Sequence, residues 1–478
     1  MNGKEYRATF GIASLILGFL LTLMMSGVLF LGIPIHIILI IAMMFAMGVL
    51  AYNGFTWNDL NEAILYGGKL CIVPIMILML IGTVMGSWIA SGTVPLLIYV
   101  GLKIISPELF LFTACLVCGM TSLATGSSWS SIGTVGVALM GVGSGLGIPP
   151  AMTAGAIVSG AYFGDKMSPL SDTTNMAPAI AEADLFDHIR SMFYTTVPGL
   201  CVALVLYFIL GMTTGGGTAD ASFLNSILEA IETNFKLNII VLLPPVLVIY
   251  GAIKKYPALP ILVLSALLAS LIAMLLQGES VSAVCKYMDT GYKLNTGVAD
   301  IDSLLSRGGM QNMMWTTSLS IIVMIYGAIL EKSGLLEAFL EKIQNITKTT
   351  GSLIATTVVS LVAINFITAS QYLSIVVGGR MFVPLYKKKK LLPQVLSRTL
   401  EDAGTVVSPL VPWGICGAFV TGALGVDTIS YIPYAFLCWV VPVIAMVYGF
   451  TGKFVWKTGE KASVRVYEED ASETTTAA

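Results

Sequence analysis

Residues 160–175 read GAYFGDKMSPLSDTTN, and this stretch decides the fold. It places two carboxylates, Asp165 and Asp172, on either side of a Ser-Pro break within otherwise apolar sequence. A related break, GTVVSPL at 404–410, follows 240 residues later. Polar, helix-breaking segments at matching points of two apolar halves are typical of a membrane protein with an ion site near mid-depth.

The composition predicts a protein that lies in the lipid bilayer. Of 478 residues, 56% are hydrophobic and only 11% are charged, whereas soluble proteins carry about 25% charged residues. The net charge of −2 provides no basic surface for a nucleic acid. The seven cysteines lie mostly in apolar runs, and we interpret them, including Cys115 and Cys118, as reduced packing residues.

Ten apolar runs are each close to the ~20 residues that a bilayer requires. They lie near 9–31, 34–53, 70–90, 108–124, 191–211, 238–253, 258–277, 311–331, 350–368 and 430–452. Shorter Gly- and Ser-rich pieces predict re-entrant hairpins and broken helices at 126–147, 149–181, 370–386 and 391–424. Such backbone persists at membrane depth only where protein or water covers it. We therefore predict an all-α polytopic membrane protein.

The two halves match at several points with a nearly constant offset of 240 to 243 residues. The pairs are Gly86 with Gly327, Ser91-Gly92 with Ser333-Gly334, Thr125-Gly126-Ser127 with Thr368-Ala369-Ser370, and Ser168-Pro169 with Ser408-Pro409. Their order and spacing indicate a duplication. Because each half contains an odd number of crossings, we predict two inverted-topology repeats, each with a re-entrant hairpin and a broken helix.

Basic residues set the expected orientation, because cytoplasmic loops are enriched in Lys and Arg. Lys4, the pair Lys254 and Lys255, and the run 387–390 place both termini in the cytoplasm. We expect a first repeat, an extracytoplasmic linker, a second inverted repeat and a disordered cytoplasmic tail at 1–211, 212–236, 237–455 and 456–478.

Asp165 and Asp172 are the leading candidates for chemistry. A charged side chain at the centre of the bilayer costs at least ~2.5–3.5 kcal/mol, so it persists where it has a task or a partner. We interpret both as Na⁺ ligands that also carry protons, and we favour Asp172 as the more direct ligand. Alternatively, Asp165 only neutralises Lys166, and Asp172 only caps the helix that resumes after Pro169.

Hydroxyl-rich tracts at the two predicted hairpin tips provide further oxygen ligands. The proposed ion and proton ligands besides the aspartates are Thr125, Ser127, Ser128, Asn175 and Glu401. The proposed substrate contacts are Thr368, Ser370, Gln371, Ser168 and Ser408. Small residues also favour close helix packing, which is the structural alternative for the tips.

The remaining candidates are weaker. Glu401, and less so Asp402, either faces the same cavity or only ends a helix that begins near Lys390. His36 is read as a packing residue in preference to a proton relay, and His188 as a solvated loop residue. The sequence contains no Walker loop, zinc cluster or nucleophile elbow, so we expect no cofactor and no ATP-driven transport.

The chain resembles the NhaC family of bacterial Na⁺/H⁺ antiporters. The resemblance rests on GDKMSPLSDTT at 164–174, on the tract 125–131 and on residues 401–413, and it extends over most of 5–455. It implies a multi-pass protein of the bacterial plasma membrane, built from paired inverted repeats with re-entrant hairpins and often dimeric. The family also contains a branch that exchanges malate with protons for lactate with Na⁺.

We therefore predict a secondary antiporter that exchanges Na⁺ for H⁺ by alternating access, with a homodimer as one expectation. The alternative is Na⁺- and H⁺-coupled exchange of small organic anions, or amino-acid transport. No arginine lies in the hairpin tips to hold a dicarboxylate, and Arg380 is the nearest candidate. An intramembrane aspartyl protease is disfavoured because Thr405 stands at the position that matches Asp165. A passive channel is less favoured than an exchanger.

Overall fold

The computed structural model describes residues 9–29, 31, 33–104, 106–214, 221–254, 256–295, 302, 306, 308–336, 338 and 348–458. Within these ranges the chain is helical, and the β-type pairing there is one isolated bridge between Leu391 and Lys457. Seven helices are long and apolar enough to cross a bilayer, or up to ten when each bent pair counts as one span. The predicted all-α membrane fold is therefore confirmed.

The first half runs from the amino-terminal helices to a long helix after the first Ser-Pro break. Its helices are α1 (Phe10–Leu29), α2 (Ile35–Tyr52), α3 (Trp57–Ala90), α4 (Thr93–Ile104), α5 (Pro107–Thr125), α6 (Ser128–Ser131), α7 (Val137–Gly145), α8 (Pro150–Met167), α9 (Asp172–Ala181) and α10 (Leu185–Thr214). A π-helical turn, Ile132–Gly136, joins α6 to α7.

The second half begins after an amphipathic connecting helix. Its helices, with that connector first, are α11 (Ala221–Asn234), α12 (Leu243–Ile253), α13 (Ala258–Ile272), α14 (Val281–Thr290), α15 (Met314–Lys332), α16 (Thr350–Thr368), α17 (Gln371–Lys388), α18 (Pro393–Leu400), α19 (Ile415–Leu424), α20 (Thr428–Tyr431) and α21 (Phe436–Thr451). π-helical turns at Ala273–Gln277 and Glu401–Thr405 extend α13 and α18.

The third span is longer than the sequence predicted. The expected span was 70–90, whereas α3 begins at Trp57 because Thr56 and Asp59 form a reciprocal capping box. Gly67 does not interrupt α3, although glycine costs about 1 kcal/mol in a helix interior. Its missing side chain lets α3 lie directly on α15, where a Cβ would come within 2.7 Å of Ile325 Cα.

The two hairpin tips have the same backbone geometry. α5 ends at Gly126 with φ 67°, and Ser127 then caps α6 by accepting a hydrogen bond from Ser130 N. α16 ends at Ala369 with φ 54°, and Ser370 caps α17 in the same way. A left-handed alanine is strained by about 1–2 kcal/mol, so this turn is held by its surroundings. The repeated turns support the predicted duplication, while the inverted orientation stays a prediction.

Both predicted broken helices are present. Pro169 has no N–H and restricts Ser168 to an extended conformation (φ −83°, ψ 126°), so α8 ends at Met167 and α9 resumes at Asp172. In the second half the chain passes from α18 through the π-helical turn and the 3₁₀ turn Ser408–Leu410 to α19, with a bend of 47°. Each break leaves a loop of polar backbone at the centre of the protein.

Glycines bring the first hairpin against the first broken helix. A Cβ at Gly160 would lie 2.0 Å from the carbonyl oxygen of Cys115, and one at Gly164 would lie 2.2 Å from that of Gly119. Small residues allow this backbone contact between membrane helices. The contact between α5 and α8 fixes the position of Asp165 relative to the hairpin tip.

The predicted linker and the predicted tail are both only partly covered by the described residues. Residues 215–220 of the linker, and the tail from 459 onward, lie outside the described residues. Residues 456–458, assigned by the sequence to the disordered tail, are hydrogen-bonded instead: Leu392 N donates to Trp456 O and Thr458 N donates to Lys390 O. The Trp456 ring also packs against Tyr194 and lies 5.6 Å from the Arg398 guanidinium, and these contacts hold the segment against the protein.

Gly160→Ala is expected to lower the free energy of unfolding by about 1–3 kcal/mol, because the two backbones must separate to admit a methyl group. The matched control is Gly48→Ala in α2, where an added Cβ meets no atom within 4 Å. Thermal unfolding of the purified protein in detergent measures both. Equal unfolding midpoints for the two variants would contradict the proposed close contact.

Candidate functional site

A cavity of about 810 Å³ lies between α3, the two hairpin tips and the first break. It is walled by α3, the first tip, the end of α8, the start of α9, part of α15 and the second tip. The cavity brings together predicted site residues that are distant in sequence: Thr125, Ser127, Ser128, Asp165, Asp172, Asn175 and Gln371.

Asp165 lies in the last turn of α8 and is 4% exposed. Its Oδ2 accepts a hydrogen bond of 2.6 Å from the Ser128 hydroxyl of the first hairpin tip. Its Oδ1 has no hydrogen-bond partner among the described residues. Hydrogen bonds to an ionised carboxylate are stronger than neutral ones, so Ser128 orients the group while one oxygen stays available to a cation.

Asp172 is the first residue of α9 and is exposed to the cavity. Its Oδ2 accepts a hydrogen bond of 2.5 Å from the Tyr372 hydroxyl of the second hairpin, and its Oδ1 accepts one of 2.9 Å from Thr173 N. A carboxylate is favoured at a helix N-terminus. Both oxygens are therefore engaged, and the geometry favours Asp165 over Asp172 as the more direct cation ligand.

Asn175 and Gln371 complete the polar wall. The Asn175 amide donates to the carbonyl oxygens of Pro169 and Ser171, at 2.9 and 2.6 Å, and so holds the break closed. The Gln371 carbonyl accepts a hydrogen bond of 3.0 Å from Ser408. Both amides therefore offer one remaining polar atom to the cavity.

The structure places four of the predicted substrate contacts behind the wall rather than on it: Ser168, Thr368, Ser370 and Ser408. The Ser168 hydroxyl donates to Leu123 O at 2.8 Å, and the Thr368 hydroxyl donates to Ile364 O at 2.8 Å. Breaks and hairpin tips leave backbone groups unpaired at membrane depth, and these must be satisfied within the protein. These hydroxyls therefore stabilise the backbone around the site and do not line the cavity.

Four charged side chains lie buried beside the cavity, and we name them the ion cluster: Lys166, Arg398, Glu401 and Asp402. Lys166 forms an ion pair with Asp402, which also accepts a hydrogen bond of 2.8 Å from Thr195. The interpretation in which Asp165 neutralises Lys166 is therefore wrong, because Lys166 forms its ion pair with Asp402, a residue of the other half of the chain.

Glu401 is fully buried in the π-helical turn and does not line the cavity. Neither of its carboxylate oxygens has a hydrogen-bond partner of good geometry within the described part of the chain. Lys166 and Asp165 both act on it electrostatically. Glu401 is thus a member of the ion cluster that also interacts with Asp165, and its proton-carrying role stays a prediction.

The structure contradicts the expectation for His188 and agrees with that for His36. His188 was expected in solvent, which is wrong: it is fully buried in α10 with Nδ1 2.8 Å from the Ser397 hydroxyl. The long helix α10 begins at Leu185 and packs its first turns against α18. His36 Nε2 lies 2.9 Å from the Ser318 hydroxyl, as expected for a packing residue.

Sequence reasoning missed the aromatic part of the cavity wall: Tyr66, Trp129, Tyr256 and Tyr372. Trp129 and Tyr372 directly follow the hydroxyl tracts and match each other at the repeat offset, so the repeats could have indicated them. Tyr66 and Tyr256 belong to distant segments with no signal of their own. Among the described residues, no group of His, Cys, Asp and Glu could hold a resident metal ion.

Comparisons with known proteins agree on a transporter. The family model of the Na⁺/H⁺ antiporter family matches residues 160–453. The chain is 41% identical to the Na⁺/H⁺ antiporter NhaC of Alkalihalophilus pseudofirmus, over 96% of this chain and all of that protein. It is 35% identical to the malate-2H⁺/Na⁺-lactate antiporter of Bacillus subtilis, over 93% and 95% of the two chains. It is 36% identical to the arginine/ornithine antiporter ArcD of Halobacterium salinarum, over 98% and 96%.

Asp402→Asn is expected to lower the free energy of unfolding by about 3–5 kcal/mol, because it leaves Lys166 buried without its partner. The double variant Lys166→Met/Asp402→Asn should recover only part of this loss, since Lys166 is no longer charged but Arg398, whose Nε lies 3.9 Å from Asp402 Oδ2, still lacks its partner. Glu182→Gln is the control, because it breaks the exposed pair with Lys387 and should cost at most about 1 kcal/mol. Thermal unfolding in detergent compares them; a stable single variant would contradict the proposed pairing.

Proposed function

The chain belongs to the Na⁺/H⁺ antiporter family, and we propose that it exchanges Na⁺ for H⁺ by alternating access in the bacterial plasma membrane. One observation carries the proposal: Asp165 is almost fully buried at the cavity wall, with one oxygen held by Ser128 and the other without a partner. Lys166 cannot serve as that partner while it is paired with Asp402. A membrane carboxylate without a protein cation is suited to a transported one.

Na⁺ prefers oxygen ligands, and unwound backbone at helix breaks commonly supplies them. We propose that Asp165 Oδ1 binds Na⁺ or a proton, and that Asp172 and the oxygens of Thr125, Ser127 and Ser128 assist. Because both cations require the same carboxylate, binding of one excludes the other. This competition couples the two fluxes.

Alternating access follows from the electrostatics of the site. An ionised, unloaded carboxylate is costly to move through the hydrophobic barrier, whereas a site that has bound a cation or a proton is close to neutral. We propose that the two hairpins and the two broken helices move together, since the Lys166–Asp402 pair joins α8 to α18 across the halves. The empty site then stays on one side, which prevents uncoupled leak.

Organic-anion exchange is the rival function, because one relative is named for malate and lactate. The lining of the cavity opposes it. Asp165 and Asp172 contribute two carboxylates, while the described lining contains no Lys, Arg or His. Arg380, the expected partner for a dicarboxylate, is not part of that lining. A dianion would therefore meet like charges without a compensating cation.

The proposal includes the membrane arrangement expected from the sequence. Residues 1–211 and 237–455 form the two inverted repeats, both termini are cytoplasmic, and the linker 212–236 faces outward. The homodimer implied by the family resemblance is also part of it.

Asp165→Asn is expected to abolish Na⁺-dependent proton flux, because the amide can neither carry the transported proton nor neutralise Na⁺. Asp172→Asn should keep flux but raise the half-saturating Na⁺ concentration about tenfold, since it weakens one charged interaction. Flux is measured in proteoliposomes with a pH-sensitive dye after a Na⁺ pulse. Asp184→Asn, which alters an exposed cap of α10, is the control. Unchanged flux in both site variants would eliminate the mechanism.

Ser128→Ala is expected to raise the half-saturating Na⁺ concentration about tenfold, because it removes the hydrogen bond that orients Asp165. The same dye measurement reports it. Ser26→Ala on α1 is the control, because that hydroxyl bonds only to the Thr22 carbonyl of its own helix in the described structure. If both serine variants keep the wild-type Na⁺ dependence, Ser128 does not position the carboxylate.

A further inference from the structure

The cavity is built for more than a single metal ion. Its volume of about 810 Å³ lies within the ~300–1,000 Å³ range of pockets that hold small organic molecules. Such pockets are mostly apolar and aromatic with a few convergent polar groups. This cavity matches that description, since Leu70, Val73, Ile77 and Met324 form an apolar wall opposite the carboxylates.

The chemistry of the wall selects for positive charge. Four aromatic rings, those of Tyr66, Trp129, Tyr256 and Tyr372, line the cavity. Aromatic faces attract ammonium and guanidinium groups, and Asp165 and Asp172 add two carboxylates nearby. The ammonium of Lys332 already lies 4.3 Å from the centre of the Tyr66 ring, so a ligand would meet chiefly the rings of Trp129, Tyr256 and Tyr372.

We propose that this cavity also accepts an organic cation, an ammonium or guanidinium group on a small apolar body without a carboxyl group, in exchange for protons. The proposal rests on the proposed function, because Asp165 and Asp172 would bind the cationic group where they bind Na⁺. A monovalent organic cation carries the same charge as Na⁺, so the competition with protons is unchanged. The apolar and aromatic walls then hold the body of the molecule, which Na⁺ lacks.

A carboxyl group on the ligand would oppose binding. It would enter a cavity whose described lining carries acidic groups and no cationic side chain, and like charges in a binding site are strongly unfavourable. Lys332 and Arg380 both act on Tyr66 but lie outside the lining. The structure therefore distinguishes an amine from the amino acid of the same skeleton.

The experiment compares matched pairs of monovalent cations in which a carboxyl group replaces one hydrogen: n-butylguanidine with 5-guanidinopentanoate, and tetramethylammonium with glycine betaine. n-Butylguanidine and tetramethylammonium stay singly charged at neutral pH, so they do not cross the lipid as neutral bases. Proteoliposomes containing the full chain and a pH-sensitive dye receive each solute, with protein-free liposomes as blank. We expect saturable proton exchange with n-butylguanidine or tetramethylammonium, competition by Na⁺, at least tenfold less exchange with the carboxylated partner, and loss in Asp165→Asn.

The outcomes separate this inference from the proposed function. Na⁺-dependent proton flux without exchange of, or competition by, either organic cation would overturn the inference and leave ion exchange intact. Absence of Na⁺ flux as well would remove the proposed function. Better exchange of 5-guanidinopentanoate, glycine betaine or malate than of the two cations would overturn the inference in favour of a carboxylate substrate.

A wall variant gives a second readout that does not touch the carboxylates. Tyr256 is 55% exposed, so Tyr256→Leu should fold normally. It is expected to raise the half-saturating n-butylguanidine concentration at least threefold, and by a larger factor than that of Na⁺. Tyr250→Leu is the control, because Tyr250 is similarly exposed on α12 but does not line the cavity. An unchanged n-butylguanidine dependence in Tyr256→Leu would overturn the role of the aromatic wall.

Discussion

The structure depends on which carboxylate forms an ion pair with one buried lysine. Lys166 follows Asp165 directly in the chain, yet it pairs with Asp402 of the other half. A buried ion pair is tolerated only when both charges are compensated, so this pairing satisfies Asp402 and leaves Asp165 without a protein cation. The same contact joins the two broken helices. One interaction therefore both joins the halves and leaves Asp165 at the cavity wall without a protein cation.

Breaking helices inside a bilayer exposes polar backbone, and the chain satisfies it locally with small hydroxyl side chains. Ser168 and Thr368 donate to carbonyl oxygens, while Ser370 caps the helix that follows the second hairpin tip. Because these three hydroxyls are hydrogen-bonded to the backbone and lie outside the cavity lining, fewer ligands face the cavity than the polar content of the sequence indicates. Ser128 is the exception that bonds directly to Asp165.

Charge and shape are supplied by different parts of the cavity. Asp165 and Asp172 lie at the first break, whereas the aromatic and apolar walls come largely from α3, α15 and the hairpin tips. In the mechanism that we propose, the two aspartates set the competition between cation and proton, and the walls set the size of the solute that fits.

The sequence by itself determined the features that depend on local chemistry. Apolar runs gave the spans, Pro169 and Pro409 gave the breaks, and the repeated hydroxyl tracts gave the hairpin tips and, with them, Ser128 beside Asp165. Only the tertiary structure decided that Lys166 pairs with Asp402, that His188 is buried, and that Tyr66 and Tyr256 reach the cavity. The physical reason is distance along the chain: a break or cap is set by neighbouring residues, whereas these contacts form only when helices from distant segments pack together.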